Sequence, residues 1–466
     1  MRERSLKSPG RHRARTWRVT ALVGVAGALA LAGCGSSGSS SASSGSSSSK
    51  PASSSSVGST TSGSIVWEAS PLSGTGANDA RTVLINAFEK QYPGIKVTLV
   101  SAPTDTDTYR ATVATQISGG ATSPDVFMGD VIWPAQFGAH QLAVPLSQYL
   151  PSSYWSKFAP GLVAGASYKG AVYGSPLFED QGFLYYRKDL LAKEHMSVPQ
   201  TWEQLETDAK TLASDGSTKY GFVWQGDSYE GLTCNFMEYL ASAGGSPTNS
   251  SYTKATLDSA AATKAVTFMR SLITSGASPA AVTTFQEPQA MDTFAAGNAA
   301  FLRNWDYAYS DAITPSDGGK LKASQVGVAP LPTFAGQAYP GYSNIGGWNL
   351  YINPHSKHLG VDLTFIQWMS GTQAQTILSA KYGFISTVQS VRTSPAIVAS
   401  NPNFAVVPKT KLVPRPAGTP EYPALSTAIY SNINGALAGS ASVSKAVSAM
   451  QSGATSALSS TSSGGL

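Results

Sequence analysis

The sequence has few cysteines, few histidines and few charged residues. Two of its 466 residues are cysteine, five are histidine, and 13% are charged. His355 and His358 are three residues apart, but they follow Pro354 in a polar turn with only Asp362 close by, so no metal site is predicted. The chain also lacks a Gly-x-Ser-x-Gly motif, a phosphate-binding loop and a dinucleotide-binding glycine pattern. No cofactor is therefore predicted.

The excess of positive charge belongs to the first twenty residues. These hold seven Lys and Arg residues and one acid, Glu3, whereas the whole chain has a net charge of +5. The remaining residues comprise 25 Lys and Arg and 26 Asp and Glu, which is a net charge of −1. We therefore predict no nucleic acid partner, because the rest of the chain has no basic excess.

The N-terminal segment has the features of a bacterial secretory signal. Small and apolar residues at 19–32 follow the basic ones, and this run is too short to span a membrane. It ends in Leu31-Ala32-Gly33-Cys34, which resembles a lipobox. We predict that residues 1–33 are a signal peptide and that Cys34 is lipidated, which would hold the protein on the outer face of the cytoplasmic membrane. Cys234 then has no disulfide partner and is interpreted as a small core residue.

Two segments are too poor in apolar residues to form a core. Residues 34–63 are almost entirely Ser and Gly, and they are predicted to form a flexible linker with an r.m.s. reach of roughly 30 Å. The tail at 453–466 has a similar composition and is predicted to be disordered. About 390 residues lie between them, which is too many for one core and predicts two lobes.

Strands and helices alternate at the start of the body. Strands are predicted at 65–69, 95–100 and 125–128, and helices at 79–91, 106–118 and 133–140. This order predicts an α/β fold with a mostly parallel sheet. Ligands bind beyond the carboxyl ends of such strands, which places Asp130 and the residues near 70–79 at the edge of a cleft.

The rest of the body is richer in helices. They are predicted at 202–214, 229–243, 260–275, 289–296, 359–369, 372–380, 424–437 and 442–450. Further strands are predicted at 299–302, 326–330 and 350–352, and we find no internal repeat.

Residues 176–191 form the central stretch of the chain. The apolar and aromatic run at 182–186 predicts a buried strand, and Glu179 and Asp180 come directly before it, next to Phe178. Buried strands do not normally begin with two carboxylates unless these face a cleft and have partners there. We therefore predict that both acids lie at the mouth of this strand and face a cleft. The alternative is an exposed turn with two solvated acids.

Aromatic residues recur beside polar ones at predicted loop positions. The three places are Trp224, Trp305 with Asp306 and Tyr307, and Trp348 after Gly347. Such rings suit a pocket that stacks on a flat ligand face while polar groups bond its edges, and sugars are ligands of this kind. Ordinary core and turn aromatics are the alternative. A glycoside hydrolase also stays open, because Glu179, Asp180, Glu230 and Glu238 could supply its two carboxylates.

In chain order, these motifs resemble extracellular solute-binding proteins of ABC sugar importers, family 1. The resemblance rests on the lipobox and on the segments at 88–95 (FEKQYPGI), 125–127 (DVF), 130–133 (DVIW) and 184–191 (LYYRKDLL). The trehalose/maltose-binding branch is resembled more narrowly by the segments at 221–226 (GFVWQG), 303–305 (RNW), 346–349 (GGWN) and 415–416 (RP).

The resemblance implies a two-lobed periplasmic-binding-protein fold, class II, of the maltose-binding type, with a hinge between the lobes. We expect lobe 1 to comprise residues 64–176 and 341–384, and lobe 2 to comprise residues 177–340 and 385–452. The ligand would lie between the lobes, which close around it.

The resemblance also implies roles for individual residues. Trp305, Tyr307 and Trp348 would stack on the sugar. Asp130 and Asp180, with Phe178 beside them, would accept hydrogen bonds from its hydroxyl groups. Gly346 and Gly347 would let the backbone approach the sugar, and Arg415 would donate hydrogen bonds to it. Asp79 and Arg110 match more weakly, as polar contacts from the first lobe.

The sequence departs from the family pattern at two places that bear on the identity of the sugar. Leu177 stands where an aromatic residue is usual, and residues 383–387 lack the usual Pro-Thr-Arg. The predicted function is that of a lipid-anchored, monomeric, non-enzymatic receptor that captures a disaccharide or short α-glucoside, such as trehalose or maltose, and delivers it to a permease. A membrane-anchored glycoside hydrolase, or a receptor for an oligosaccharide, a polyol or a glycerophosphodiester, is the alternative.

Overall fold

A computed structural model describes residues 60–460 of the chain. The predicted signal peptide, Cys34 and most of the predicted linker lie outside these residues. The first strand begins at Ser62, so the prediction that the linker extends to residue 63 is wrong for its last two residues. Within residues 60–460, no helix combines the length and the apolar character that a membrane crossing requires.

The observed strands and helices follow the predicted order through most of the chain. The strands are β1 (Ser62–Ala69), β2 (Gly94–Ser101), β3 (Val126–Asp130), β4 (Ser167–Tyr168), β5 (Ala171–Val172), β6 (Ser175–Gln181), β7 (Phe183–Arg187), β8 (Tyr220–Val223), β9 (Ala299–Asn304), β10 (Val326–Ala329), β11 (Tyr342–Ile352), β12 (Ile385–Ser386) and β13 (Lys411–Val413). The α-helices of the first half are α1 (Ala80–Gln91), α2 (Thr106–Ser118), α3 (Pro134–Ala139), α4 (Ser152–Trp155), α5 (Pro160–Gly165), α6 (Lys188–Lys193), α7 (Trp202–Ser214) and α8 (Glu230–Ser242). Those of the second half are α9 (Ala260–Thr274), α10 (Glu287–Ala295), α11 (Ala308–Ile313), α12 (Leu359–Met369), α13 (Thr372–Ile377), α14 (Gln389–Arg392), α15 (Pro395–Ser400), α16 (Asn403–Val406), α17 (Tyr422–Leu437) and α18 (Val443–Ser460).

The larger sheet has seven strands in the order β12-β6-β11-β3-β1-β2, with β13 paired to β11. β1 runs parallel to β2 and β3, but β11 is antiparallel to β3 and β6, and β12 is antiparallel to β6. The prediction of a mostly parallel sheet is therefore wrong, because three of the six strand pairs described in this sheet are antiparallel. Alternation of strands with helices predicts the relative direction only of strands that follow each other in the chain. Strand β11 joins the larger sheet after the chain has formed the second sheet, so this rule does not give its direction.

The two acids of the central stretch lie inside a strand. Glu179 and Asp180 belong to β6, are both 5% exposed, and precede the short link to β7. The prediction that they lie at the mouth of the following strand is wrong in position, although they are buried, as a cleft-facing site requires. All seven residues of β6 are buried, so both faces of the strand are covered. Apolar and polar residues therefore do not alternate along it, and the usual sequence pattern of a strand is missing.

The second sheet has four strands in the order β10-β7-β9-β8. Helices α7 and α10 pack on its strands β8 and β9, and the rings of Trp202 in α7 and Tyr239 in α8 lie 4.4 Å apart between centroids. On the larger sheet, Phe365 of α12 lies 5.3 Å from Trp67 and 5.1 Å from Phe88. Each sheet therefore has its own layer of buried aromatic side chains.

The predicted disordered tail is helical at its start. Helix α18 continues to Ser460, with Ala454, Ala457 and Leu458 buried against its neighbours, so the prediction of disorder is wrong for residues 453–460. Small residues allow α18 to approach α17 closely, as at Gly453, where an added Cβ would be 2.7 Å from Ala428. A Ser/Ala/Gly composition predicts disorder only when no partner surface covers it.

Candidate functional site

A cavity of about 380 Å³ lies between the two sheets. Its wall is formed by the loop after β1, the ends of β3 and β6, the start of α8, the segment after β9, and the middle of β11. Nine of the eleven predicted site residues line it: Asp130, Phe178, Asp180, Trp305, Tyr307, Gly346, Gly347, Trp348 and Arg415. Residues separated by up to 285 positions are thus brought together.

The two weaker matches lie elsewhere. Asp79 caps helix α1 by accepting a hydrogen bond from the backbone N–H of Arg81, and its carboxylate pairs with the Arg81 guanidinium at 2.6 Å. Arg110 donates to Gln136 Oε1 at 3.3 Å and lies 4.0 Å from Asp107. Neither side chain lines the cavity, so a direct ligand contact for them stays a prediction.

Polar contacts from one side hold the Trp305 ring in place. The indole lies over the Arg303 guanidinium, with 4.0 Å between the guanidinium carbon and the ring centroid, and its Nε1–H donates to Glu287 Oε1 at 3.1 Å. Tyr307 donates to Asn304 Oδ1 at 3.2 Å. Trp348 lines the cavity from β11 and is half-buried. These rings provide the flat apolar faces that a stacked ligand needs.

Arg415 links the two halves of the cavity wall. Its guanidinium bonds both carboxylate oxygens of Asp130, at 2.7 and 3.2 Å, and lies 2.9 Å from Glu230 Oε1. Glu230 also accepts hydrogen bonds from Tyr422 at 2.5 Å and Ser426 at 2.6 Å. The Nε atom of Arg415 is buried and has no hydrogen-bond partner among residues 60–460. Arg415 therefore fixes the orientation of Asp130 and retains one unused donor.

Asp180 is a buried carboxyl group without a cationic partner in the described part of the chain. Its pKa is raised to about 7, chiefly by burial, and the nearby carboxylates of Asp130 and Glu179 act in the same direction. Asp306 lies beside it, and burial together with Asp180 holds the pKa of Asp306 well above its usual range. Asp306 Oδ2 also accepts a hydrogen bond from the backbone N–H of Ile385 at 2.6 Å. Two such carboxyl groups cannot both ionise readily, so one proton is retained between them at neutral pH.

Two glycines of β11 allow close approach at the cavity floor. Gly347 has φ of +121°, and a Cβ there would be 2.5 Å from the carbonyl oxygen of Phe178. A Cβ on Gly346 would be 3.1 Å from both the Asp180 Cβ and a ring atom of Trp305. The glycine pair therefore permits the backbone to lie directly against β6 and the indole ring.

The sequence does not single out several residues of the cavity wall. Tyr229, Glu287 and Asp311 line it, and Tyr229 donates to Glu287 Oε2 at 2.7 Å. Glu287 precedes a proline in the first turn of α10, and this pattern predicts only where a helix begins. The prediction for Trp224 is wrong, since it is fully buried in the core, and its Nε1–H donates to Ser278 at 3.1 Å.

Three of the four carboxylates considered for a hydrolase are ion-paired. Glu179 lies 2.6 Å from Arg392, Glu230 pairs with Arg415, and Glu238 accepts from Arg303 Nε at 2.9 Å. Glu179 and Glu238 do not line the cavity. Only Asp180 of this set both lines the cavity and lacks a cationic partner among the described residues.

The sequence profile described as "Bacterial extracellular solute-binding protein" matches residues 74–376. The chain belongs to this family. A relative in Deinococcus radiodurans, named as a probable ABC transporter-binding protein, is 34% identical to this solute-binding protein over 331 residues, which is 70% of this chain and 77% of the relative. The chain is therefore an extracellular binding component of an ABC transporter.

Solved structures of the family share the fold. The maltose-bound MalE3 of T. maritima superposes with a TM-score of 0.77 and is 31% identical, covering 84% of this solute-binding protein and 99% of MalE3. The GacH receptor of Streptomyces glaucescens, solved unliganded and with acarbose, gives a TM-score of 0.74 at 26% identity and covers 85% and 99% of the two chains. The predicted two-lobed fold of the maltose-binding type is thereby confirmed.

Proposed function

We propose that this solute-binding protein captures a disaccharide or short α-glucoside of the maltose or trehalose type in the cavity between the two sheets. The observation that carries the proposal is the composition of that cavity, in which Trp305, Tyr307 and Trp348 surround the carboxyl groups of Asp130 and Asp180. Rings stack on the C–H faces of a sugar, and carboxylates accept paired hydrogen bonds from its hydroxyl groups. The bound maltose of the similar MalE3 protein supports the same ligand class.

The proposed partner is the permease of an ABC transporter, reached from the outer face of the cytoplasmic membrane. A lipid on Cys34 and the Ser/Gly linker at 34–61 would keep the protein near that membrane. The receptor would act as a monomer. Ligand contacts both walls of the cavity only when these are close together, so binding favours the closed state by the difference in affinity between the two states. The permease would then recognise the closed shape.

The test is calorimetry of the purified chain with trehalose, maltose, sucrose, maltodextrins and mannitol. We expect saturable binding of at least one α-glucoside at about micromolar Kd or tighter. Trp348→Ala and Asp180→Ala should abolish that binding while the protein stays folded. Trp155→Ala is the matched control, because Trp155 is half-buried outside the cavity. Retained affinity in both site variants would contradict the assignment.

Analysis of the sugars recovered from the same mixtures distinguishes a receptor from a hydrolase. A receptor returns every sugar intact, whereas a hydrolase of this fold would release smaller products. Because Glu179, Glu230 and Glu238 are each held by an arginine, they are poorly placed to act as a pair of free carboxylates. We therefore expect no cleavage, and product analysis by chromatography after prolonged incubation checks this.

A further inference from the structure

The main cavity, which lies between the two sheets, has far more negative than positive charge in its wall. Its acidic lining residues are Asp130, Asp180, Glu230, Glu287, Asp292, Asp311 and Asp317. Among the described residues that line it, Arg415 is the one basic residue, and it already pairs with Asp130 and Glu230. The other five acidic residues have no ion-pair partner within residues 60–460. Carboxylates that surround a cleft without counter-charges give it a negative potential, which attracts cations.

Three of these unpaired acids lie at one rim of the main cavity. Asp292 belongs to α10, Asp311 to α11, and Asp317 to the short helical turn at residues 315–317. The pKa of Asp311 is raised to about 8, chiefly by burial, and the charges of Asp317 and Asp292 act in the same direction. Ser73 donates to its Oδ2 at 3.4 Å, but its Oδ1 is buried and has no hydrogen-bond partner in the described part of the chain. A carboxyl group without a cationic neighbour retains its proton in this way, and a bound cation would lower the pKa again.

Asp180 lies in the interior of the same cavity. It is 5% exposed, and its Oδ1 atom has no hydrogen-bond partner among residues 60–460. A buried acceptor of this kind is costly unless a ligand provides the donor. The hydroxyl group of a neutral sugar would satisfy the hydrogen bond but leave the charge uncompensated, whereas an ammonium group satisfies both.

Tyr307 provides an aromatic ring near both groups of carboxylates. Burial raises the pKa of Tyr307 well above its usual range, and the charges of Glu287, Asp311 and Asp180 act in the same direction. The phenol is therefore within electrostatic reach of carboxyl groups at the rim and in the interior. A cation placed over an aromatic face is attracted by the ring, and no Lys or Arg of residues 60–460 lies over Tyr307. This ring is thus available to a cationic group of a ligand.

We propose that the preferred ligand of the main cavity is an amino sugar, namely a disaccharide in which a protonated amine replaces one hydroxyl group. The ammonium group binds beside the Tyr307 ring, with Asp180 and Asp311 as its carboxylate partners. The inference rests on the proposed function, because it needs a sugar-binding cavity, and it specifies the chemical class of the sugar. It also explains why a wall built for a sugar contains so many carboxyl groups without counter-charges.

The test is calorimetry of the purified chain at neutral pH with trehalose, maltose, their 2-amino and 6-amino derivatives, and the N-acetyl forms of these amines. At least one amine should bind roughly tenfold more tightly than its parent sugar, because a desolvated ion pair replaces a neutral hydrogen bond. Its N-acetyl form has no charge and should bind no more tightly than the parent. Added salt should weaken the binding of the amine more than that of the parent sugar.

A carboxylate variant tests the position of the ammonium group. Asp311→Asn keeps the shape of the side chain but removes its charge, and it should reduce the ratio of amine to parent affinity roughly fivefold. Asp311→Glu restores the charge and should restore most of this ratio. Asp208→Asn is the matched control, because Asp208 Oδ2 is also buried without a partner among the described residues, but this residue lies on α7 outside the cavity. Thermal unfolding checks that each variant is folded.

The outcomes separate the amino sugar from the proposed function. If trehalose or maltose binds and no amine binds more tightly than its parent, the amino-sugar inference is overturned while the proposed function stands. An affinity ratio that Asp311→Asn leaves unchanged, or that Asp208→Asn reduces equally, would overturn it as well. Binding of the amines alone would support the inference and narrow the proposed function to amino sugars. If none of the sugars binds, the proposed function and the inference both fail.

Discussion

At the scale of single residues, Asp180 is the group whose charge most depends on its surroundings. Asp130 and Glu230 share the charge of Arg415, whereas no cationic side chain in the described part of the chain bonds to Asp180. Its carboxyl group is buried beside Asp306, and its pKa is about 7. The main cavity therefore changes its hydrogen-bonding capacity within the physiological pH range.

This pKa predicts that ligand affinity depends on pH. A sugar hydroxyl donates to the ionised carboxylate, so binding should strengthen as the pH rises through 7, by roughly tenfold between pH 6 and pH 8. Asp180→Asn should bind weakly and lose this dependence. Asp362→Asn is the control, because burial also raises the pKa of Asp362 to about 7, but this residue lies outside the cavity. Calorimetry at a series of pH values measures the effect, and a dependence that survives in Asp180→Asn would contradict it.

Motifs predict the site well where a residue's role depends on its own type and less well where it depends on a neighbour. Asp130, Asp180 and the aromatic residues were identifiable because acidic and aromatic residues occur together near predicted strand ends. The roles of the glycine pair and of Arg415 came only from the resemblance to the family. Asp79 has the same chemistry, but Arg81 two positions later binds its carboxylate. Glu287 reaches the cavity only because α10 packs beside β9, and no local pattern indicates that contact.

At the scale of elements, strand β11 pairs with three different strands along its eleven residues. Its first residues pair with β13, its middle pairs with β6, and its end pairs with β3. The pairing with β6 shifts register between Trp348 and Asn349, one residue after the glycine pair. The sequence predicts only residues 350–352 as strand, because adjacent glycines usually interrupt one. Here they are the positions where the backbone must approach β6.

The two glycines of β11 provide a matched pair for mutation. Gly347→Ala should lower the free energy of unfolding by roughly 2 kcal/mol and abolish sugar binding, because φ of +121° is strained for alanine and the Cβ meets a backbone oxygen. Gly346→Ala should cost less, since its nearest contacts are side-chain atoms at 3.1 Å. Urea unfolding and calorimetry measure both effects. Equal destabilisation by the two variants would show that the backbone conformation at Gly347 is not the cause.

At the scale of the whole molecule, the rims of the main cavity meet through a few polar contacts. Thr75 donates to the carbonyl oxygen of Ser316 at 3.2 Å, and Ser73 donates to Asp311 at 3.4 Å. Hydrogen bonds contribute about 1 kcal/mol each to stability, and less where water competes for the same groups. These rim contacts add only weakly to the buried ion pairs that Arg415 makes with Asp130 and Glu230. A ligand that touches both walls adds further free energy to the closed arrangement and can shift the equilibrium.

This balance predicts that sugar controls closure, which a cysteine pair at the rim can measure. In a Cys34→Ser background, Thr75→Cys and Ser316→Cys should form a disulfide faster when the sugar is saturating, because the rims then spend more time in contact. Cys234 lines the cavity but is only 3% exposed, and burial raises the pKa of its thiol well above the usual range, so it should react slowly. Adding Asp180→Ala removes binding and should remove the acceleration while the basal rate persists. An equal rate with and without sugar would mean that the rims meet independently of the ligand, and a permease could not then distinguish the loaded receptor by its shape.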